Sequence, residues 1–314
     1  MDIEDYRGLQ QRIRLTGNGQ VPTRGLTRFE EKESALARID RTWRLIERFP
    51  KNDAQEETLV IAKDNEIWTA FKRWFTSHHL FIPELALTGH CLNELIRARK
   101  NNEAEEAQRW MHLAARLRKG CAGLFLFSID FRPCAEIYGE AIRPNMPKAF
   151  SGFWIRERHN CFQPALKAFS ANCSTGDAEP LMQALLTEWA AADKRYHTLH
   201  EQSIYAAVPD GISLARDYHK LTGKPHEITE HEFQVYDDWF CIDRCDAVTR
   251  LDYIFQVCDV IERLLADLAS GHHLECAVAS DLLNGAKAAM TVFGQWAGPV
   301  SERSRFYPKC LRGE

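Results

Sequence analysis

No run in the sequence approaches the ~18 consecutive apolar residues that a membrane helix needs. The opening stretch "MDIEDYRGLQQRIRL" also lacks the apolar segment of a secretory signal, so a cytoplasmic location is expected. Net charge is small, formally −4 over 314 residues, which gives no basic field of the kind that holds nucleic acid. Segments alternating apolar and polar residues are almost absent, which argues against a sheet-built domain. No internal repeat and no long biased linker divides the chain. The CxxCH signature of c-type haem attachment, the CxxC pairs of zinc knuckles and the Glu-x-x-His pairs of di-iron bundles are all missing.

What is present is helix after helix. Apolar residues recur at intervals of three and four in 30–49, 83–99, 105–129, 179–207 and 244–269. Breakers gather at "NGQVPTRG", "RPNMPKAFSG", "STGDAEP", "VPDG" and "LTGKPH". Hydrophobic residues make up 45% and charged residues 27%, enough apolar surface for a sizeable core. The expected fold is therefore all-α. A polar N-terminal arm over 1–25, suited to packing on a partner chain, precedes a single large helical domain over 26–314. The apolar run "GLFLFSIDF" (123–131) has to be enclosed. The ten cysteines sit largely inside helical runs, where a free thiol behaves as a small hydrophobe, so a disulfide framework is not expected.

One short stretch stands out. "GHHLEC" (271–276) follows the helical run that ends in "RLLADLAS". On a helix His272 and Cys276, four apart, or His273 and Cys276, three apart, would share a face. Three meanings are open at this point. The histidines can be a solvated feature near a helix C-terminus, where the dipole favours them. They can contribute to a zinc site, although neither "CIDRC" (Cys241, Cys245) nor "HTLH" (His197, His200) completes one by spacing. They can hold a haem, with an imidazole on the iron and the thiol about one helical turn away.

Two regions resemble the histidyl-ligated haem-dependent aromatic oxygenase superfamily, the group that includes tryptophan 2,3-dioxygenase. The first is "HHLFIPELALTGHCLNELIRARKNNEAEEAQRWMHLAARLRKG" with "LFSIDFRPCAEIYGEAIRPNMPKAFSGFWIRER". It is similar in order to the dioxygenase run in which "LFI" precedes "EL" on a distal-pocket helix and an "SGF" segment follows. The second, "YIFQVCDVIERLLADLASGHHLEC", resembles the helix that delivers the proximal histidine. His-x-x-x-Cys is the signature of the branch that hydroxylates 3-methyltyrosine. The "GTGGS" loop of the tryptophan dioxygenases is replaced by "AVASDLLNGAK", and the dioxygenase's catalytic histidine falls on Thr76. Both departures favour the hydroxylase branch.

The resemblance implies a haem b-derived group joined covalently through a single thioether to Cys276. His272 is its axial ligand, with His273 as the alternative. It implies ring hydroxylation of tyrosine or 3-methyltyrosine to a catechol by hydrogen peroxide, or by dioxygen with a reductant. Homo-oligomers are the expectation from kinship. His90, on an apolar helix, is the first candidate for the catalytic base, because imidazole titrates near neutrality; the plain alternative is a hydrogen-bonded core histidine. His78 and His79 come next. Arg158, and Arg156 beside it, are candidates to fork a substrate carboxylate, unless they line a solvated helix face. Tyr138, Phe153 and Trp154 are candidates for an aromatic slot, and ordinary core is their alternative. His197 and His200 are taken as structural. Tryptophan or indole oxidation on the same haem, and a non-catalytic helical binding protein, are the rival functions.

Overall fold

The fold comes from a computed structural model, which describes residues 12–49, 63–131, 133–146, 152–173, 180–208 and 228–298. The elements follow in order: β1 (Ile13–Leu15), α1 (Phe29–Arg48), α2 (Lys63–Lys100), α3 (Ala104–Phe127), α4 (Cys134–Ile137), α5 (Gln163–Cys173), α6 (Pro180–Ala207), α7 (Glu230–Trp239), β2 (Ile242–Arg244), α8 (Arg250–Ser270) and α9 (Cys276–Ala297). One π-helix, Tyr138–Ile142, prolongs α4, and a second, Arg158–Phe162, leads into α5.

The expected all-α class holds, with one small exception. Ile13–Leu15 pairs in parallel with Ile242–Arg244, Ile13 opposite Ile242, and Arg12 forks Asp243 at 2.7–2.9 Å. This part of the arm is thus bound to its own chain. Residues 1–11 lie outside the described ones. No described helix is long and apolar enough to cross a membrane.

Helix α3 is the centre. Helix α2 turns back onto it through Asn102, whose φ of 59° is a left-handed value that Asn tolerates. Along α3, Gly120 lets Gly285 of α9 approach so closely that a Cβ on Gly120 would stand 2.8 Å from the Gly285 Cα. On a further side Arg118 forks Asp193 of α6 at 2.7 and 3.0 Å. Helix α8 lies along α2, with Tyr253 OH donating to the Pro83 carbonyl at 3.4 Å. Helix α1 covers α8 through Arg38, paired with Asp259 and Glu262.

Local sequence explains how α8 starts and stops. Thr249 and Asp252 form a reciprocal capping box, the Asp252 carboxylate accepting the Thr249 N–H at 2.9 Å. Gly271 ends the helix with φ 123°, a value that favours glycine. Residues 123–131 are largely enclosed as expected; Phe125, Leu126 and Ile129 are half-buried. Cys91, Cys121, Cys161, Cys241 and Cys258 are buried, and no disulfide joins them.

Candidate functional site

The histidine–cysteine motif is not helical throughout, which corrects the expectation of a shared helix face. Gly271–Glu275 is an irregular link between α8 and α9, and Cys276 is the first residue of α9. Gly271 at the end of α8 breaks the run, so His272 is placed by the link and not by helical spacing. His272 is half-buried and its Nδ1, shielded from solvent, has no hydrogen-bond partner. Burial lowers its pKa, with Asp130 and a backbone hydrogen bond to Leu274 opposing that effect. His273 points its side chain to solvent, while its backbone N–H donates to Asp130 Oδ2 at 3.0 Å. Cys276 is exposed.

Beside this link lies a buried charge cluster that sequence reasoning missed. Arg73 pairs with Asp130 at 2.9 Å and with Asp267 at 2.8 Å, and its Nη2 donates to the Gly271 carbonyl at 2.5 Å. The signal was available: a lone Arg among the aromatics of "FKRWF" and a lone Asp in "FSIDF" are charges that an apolar run can enclose only if they are paired.

From Arg73 onward, α2 presents Trp74, His78 and Phe81 at helical intervals, hence on one face. Trp74 meets Tyr138 with ring centroids 5.5 Å apart. The His78 ring stacks on Phe240 at 3.9 Å, with Tyr236 6.3 Å away. Phe81 meets Phe125 at 5.3 Å and Tyr196 at 6.4 Å, and His200 lies 4.5 Å from Phe125. Arg118 covers Tyr196 at 3.3 Å. Arg158 lies close enough to Tyr196 and Arg118 to feel their charges, and burial lowers its pKa. Tyr138 and Arg158 each begin a π-helix, and single-turn π segments are frequent at functional sites.

His78 is the histidine best prepared for chemistry. Its Nδ1–H donates to the Trp74 carbonyl at 2.7 Å, which fixes the tautomer. Its Nε2 makes no hydrogen bond among the described residues, and burial pulls its pKa down to about 4. His79 is fully buried and engaged, its Nε2–H donating to the Phe240 carbonyl at 2.5 Å; burial brings its pKa to about 3.

His90 is not brought to His272. It lies about 25 Å beyond Arg73 along α2 at ~1.5 Å per residue. There it is boxed by Trp110 and Trp296, both 5.7 Å away, and accepts Trp296 Nε1–H at 3.3 Å. Burial lowers its pKa to about 4. Its surroundings are those of the hydrogen-bonded core histidine named above as its alternative.

Arg156 is also engaged: its fork is filled by Glu230 at 2.6 and 2.8 Å, beneath the Phe233 ring. Trp154 is buried, and the side chain of Phe153 lies outside the described ones. His197 is exposed, whereas His200 belongs to the aromatic cluster and burial brings its pKa to about 4. Thr76 is buried two residues before His78.

Among the described residues, no three or more His, Cys, Asp or Glu side chains gather as a metal cage. A haem asks for only one or two axial side chains. The half-buried His272 imidazole fits that demand, and the exposed Cys276 thiol is accessible to a covalent tether.

No curated protein matches the chain. Residues 47–183, a little under half of it, match the family SfmD 3-methyl-L-tyrosine peroxygenase. The matched stretch holds the α2 face, α3 and both π-helices, and so includes Trp74, His78, Phe81, Tyr138 and Arg158; His272 and Cys276 lie beyond it. The match supports haem-dependent hydroxylation of 3-methyl-L-tyrosine, the work of an oxidoreductase of the peroxygenase kind.

Proposed function

We propose that this chain hydroxylates the ring of 3-methyl-L-tyrosine to a catechol, consuming one hydrogen peroxide and releasing one water. His272 would hold the iron of a haem, and Cys276 would tether that haem through a single thioether. The observation that carries the site is the place of His272: a half-buried imidazole on a link held from both sides by the buried Arg73–Asp130 pair, four residues from an exposed thiol. The exposed side chain of His273 disfavours the alternative assignment. When bound, the haem supplies the activation of peroxide.

The chain's own groups do the rest. Phe81, Phe125 and Tyr196, packed ring against ring, would present an aromatic surface to the phenol. Arg158 at its end is suited to the substrate carboxylate, because a cation in a buried, partly desolvated setting binds an anion more strongly than one in water. Arg156 is not needed for this role, since Glu230 holds it. His78 takes the proton that peroxide or the phenol gives up. Burial keeps its Nε2 unprotonated at neutral pH, and the Trp74 carbonyl keeps that nitrogen facing away from the helix backbone.

The test is a visible spectrum of the purified protein, a pyridine haemochrome, and a denaturing gel stained for haem. Incubation with peroxide and 3-methyl-L-tyrosine should give a product one oxygen atom heavier. Cys276→Ala should hold haem that washes out on denaturation. A colourless protein after haem supplementation overturns the reading; covalent haem that persists in Cys276→Ala moves the tether to another cysteine.

A further inference from the structure

The link that carries His272 is gripped from both sides. Upstream, Arg73 Nη2 donates to the Gly271 carbonyl at 2.5 Å. Downstream, the His273 N–H donates to the Asp130 carboxylate at 3.0 and 3.1 Å. The two grips are joined: Arg73 Nη1 donates to Asp130 Oδ2 at 2.9 Å and also to the Asp130 carbonyl. Arg73 Nε meets Asp267 on the last turns of α8 at 2.8 Å, and Lys72 pairs with the other Asp267 oxygen at 3.1 Å.

This cluster is costly to build. The side chains of Arg73, Asp130 and Asp267 are 5%, 5% and 2% exposed. Buried ion pairs of this kind roughly break even against apolar packing, because desolvation offsets the attraction. What they do well is fix geometry. The Arg73 guanidinium is planar and rigid, and from α2 it addresses three segments at once: the turn after α3, the end of α8 and the link itself. Between the Gly271 carbonyl held by Arg73 and the His273 N–H held by Asp130 lies only the backbone of His272 itself.

We propose that Arg73 and Asp130 are positioning residues for His272, holding the backbone on each side of it so that the imidazole is presented to the haem without a helix to carry it. The inference rests on the reading of His272 as the axial ligand. Neither residue touches substrate, and their effect is transmitted through the link.

The test uses the full-length protein as isolated, in wild-type form and as Arg73→Lys and Asp130→Asn. Lysine keeps the charge but cannot reach all three partners; asparagine keeps the shape but loses the charge. Amide hydrogen exchange of the 271–275 segment is read by mass spectrometry, alongside the haem absorption spectrum, the haem midpoint potential and the response to added imidazole. Exchange in the link is expected to quicken by about tenfold or more, the scale of a lost charge-assisted hydrogen bond. The spectrum and midpoint potential are expected to shift, with added imidazole restoring the wild-type spectrum. Far-UV circular dichroism checks that the helices persist, and if Arg73→Lys does not fold, Asp130→Asn carries the same test. Wild-type exchange in the link, or faster exchange with an unchanged haem spectrum and potential, overturns the positioning role while leaving the axial assignment intact. Absence of haem from the wild type overturns the axial assignment instead.

Discussion

His78→Phe separates the proton-handling role of His78 from its packing role. Phenylalanine keeps a ring against Phe240, where the imidazole stacks at 3.9 Å. The hydrogen bond to the Trp74 carbonyl is lost, but that carbonyl keeps its helical N–H partner four residues on. Stability should therefore change little. Removing a positioned general base costs typically about 10²- to 10⁴-fold in rate, and kcat should fall within that range while KM for the aromatic substrate moves only a few-fold. The pH profile adds a second handle. With its pKa depressed to about 4 by burial, roughly one His78 in a thousand is protonated at pH 7. The wild-type rate should be level from about pH 5.5 through neutrality and fall only below that, as the imidazole gains its proton. The assay is steady-state oxygenation of 3-methyl-L-tyrosine across pH, on protein matched for haem content. A His78→Phe kcat within a few-fold of wild type, or a wild-type break near the ordinary histidine value of about 6.5, would refute the assignment.

Three further outcomes follow from the geometry. His90→Phe should leave kcat within about threefold but cost roughly 1–3 kcal/mol by denaturant unfolding, because Trp296 Nε1–H loses its acceptor; a hundredfold loss of kcat would return catalysis to His90. Gly285→Ala gains about 1 kcal/mol of helix propensity, yet its Cβ would lie 2.7 Å from the Gly120 Cα, so overpacking of about 1–3 kcal/mol should make it net destabilising. Gly139→Ala, with nothing within 4 Å of its Cβ, should be neutral or better, and matched thermal melts of the two variants decide the point. Glu84, fully buried beside those glycines, has its pKa raised well above 4.5 by burial, so the folded state keeps a proton that the unfolded state releases. Stability should then decline as pH rises above about 4.5, with a slope approaching ~1.4 kcal/mol per unit until the folded carboxyl ionises. Glu84→Gln should remove that component, and identical pH slopes for both proteins would contradict it.

The helices were legible wherever an apolar stripe meets a polar one. The periodic stretches 30–49, 105–129, 179–207 and 244–269 correspond to α1, α3, α6 and α8 with ends shifted by a few residues. The first half of α2 was not, because 63–82 mixes aromatics and charges around the helix and carries no clean stripe. Helix α9 escaped because it is apolar on most sides: besides Leu282, Met290, Phe293 and Trp296 it buries the small Gly285, Ala286, Ala288 and Ala289, so no polar stripe stands against an apolar one. Within the site, the pairing of His272 with Cys276 was readable as chemistry, but its geometry was not, since Gly271 breaks the helix that the spacing assumed. The preference for His90 over His78 came from both lying in apolar surroundings. Only the third dimension separates a histidine closed in by two tryptophans from one with a nitrogen still open.

The division of the site along the chain has a physical logic. The segment matching the peroxygenase family holds the aromatic face, while the proposed haem-holding pair lies on a distant link. Arg73 joins the two, and its neighbour Trp74 begins the aromatic face on the next helical position. Helix α2 therefore acts as a common ruler: Trp74 to Phe81 spans about 10 Å at the helical rise, close to the length of an aromatic amino acid. A link free to move would lose its register against that ruler, and small misplacements of reacting groups are expensive in rate. This accounts for a buried charge cluster that stability alone does not require, placed where an irregular, half-buried segment would otherwise be the softest part of the site.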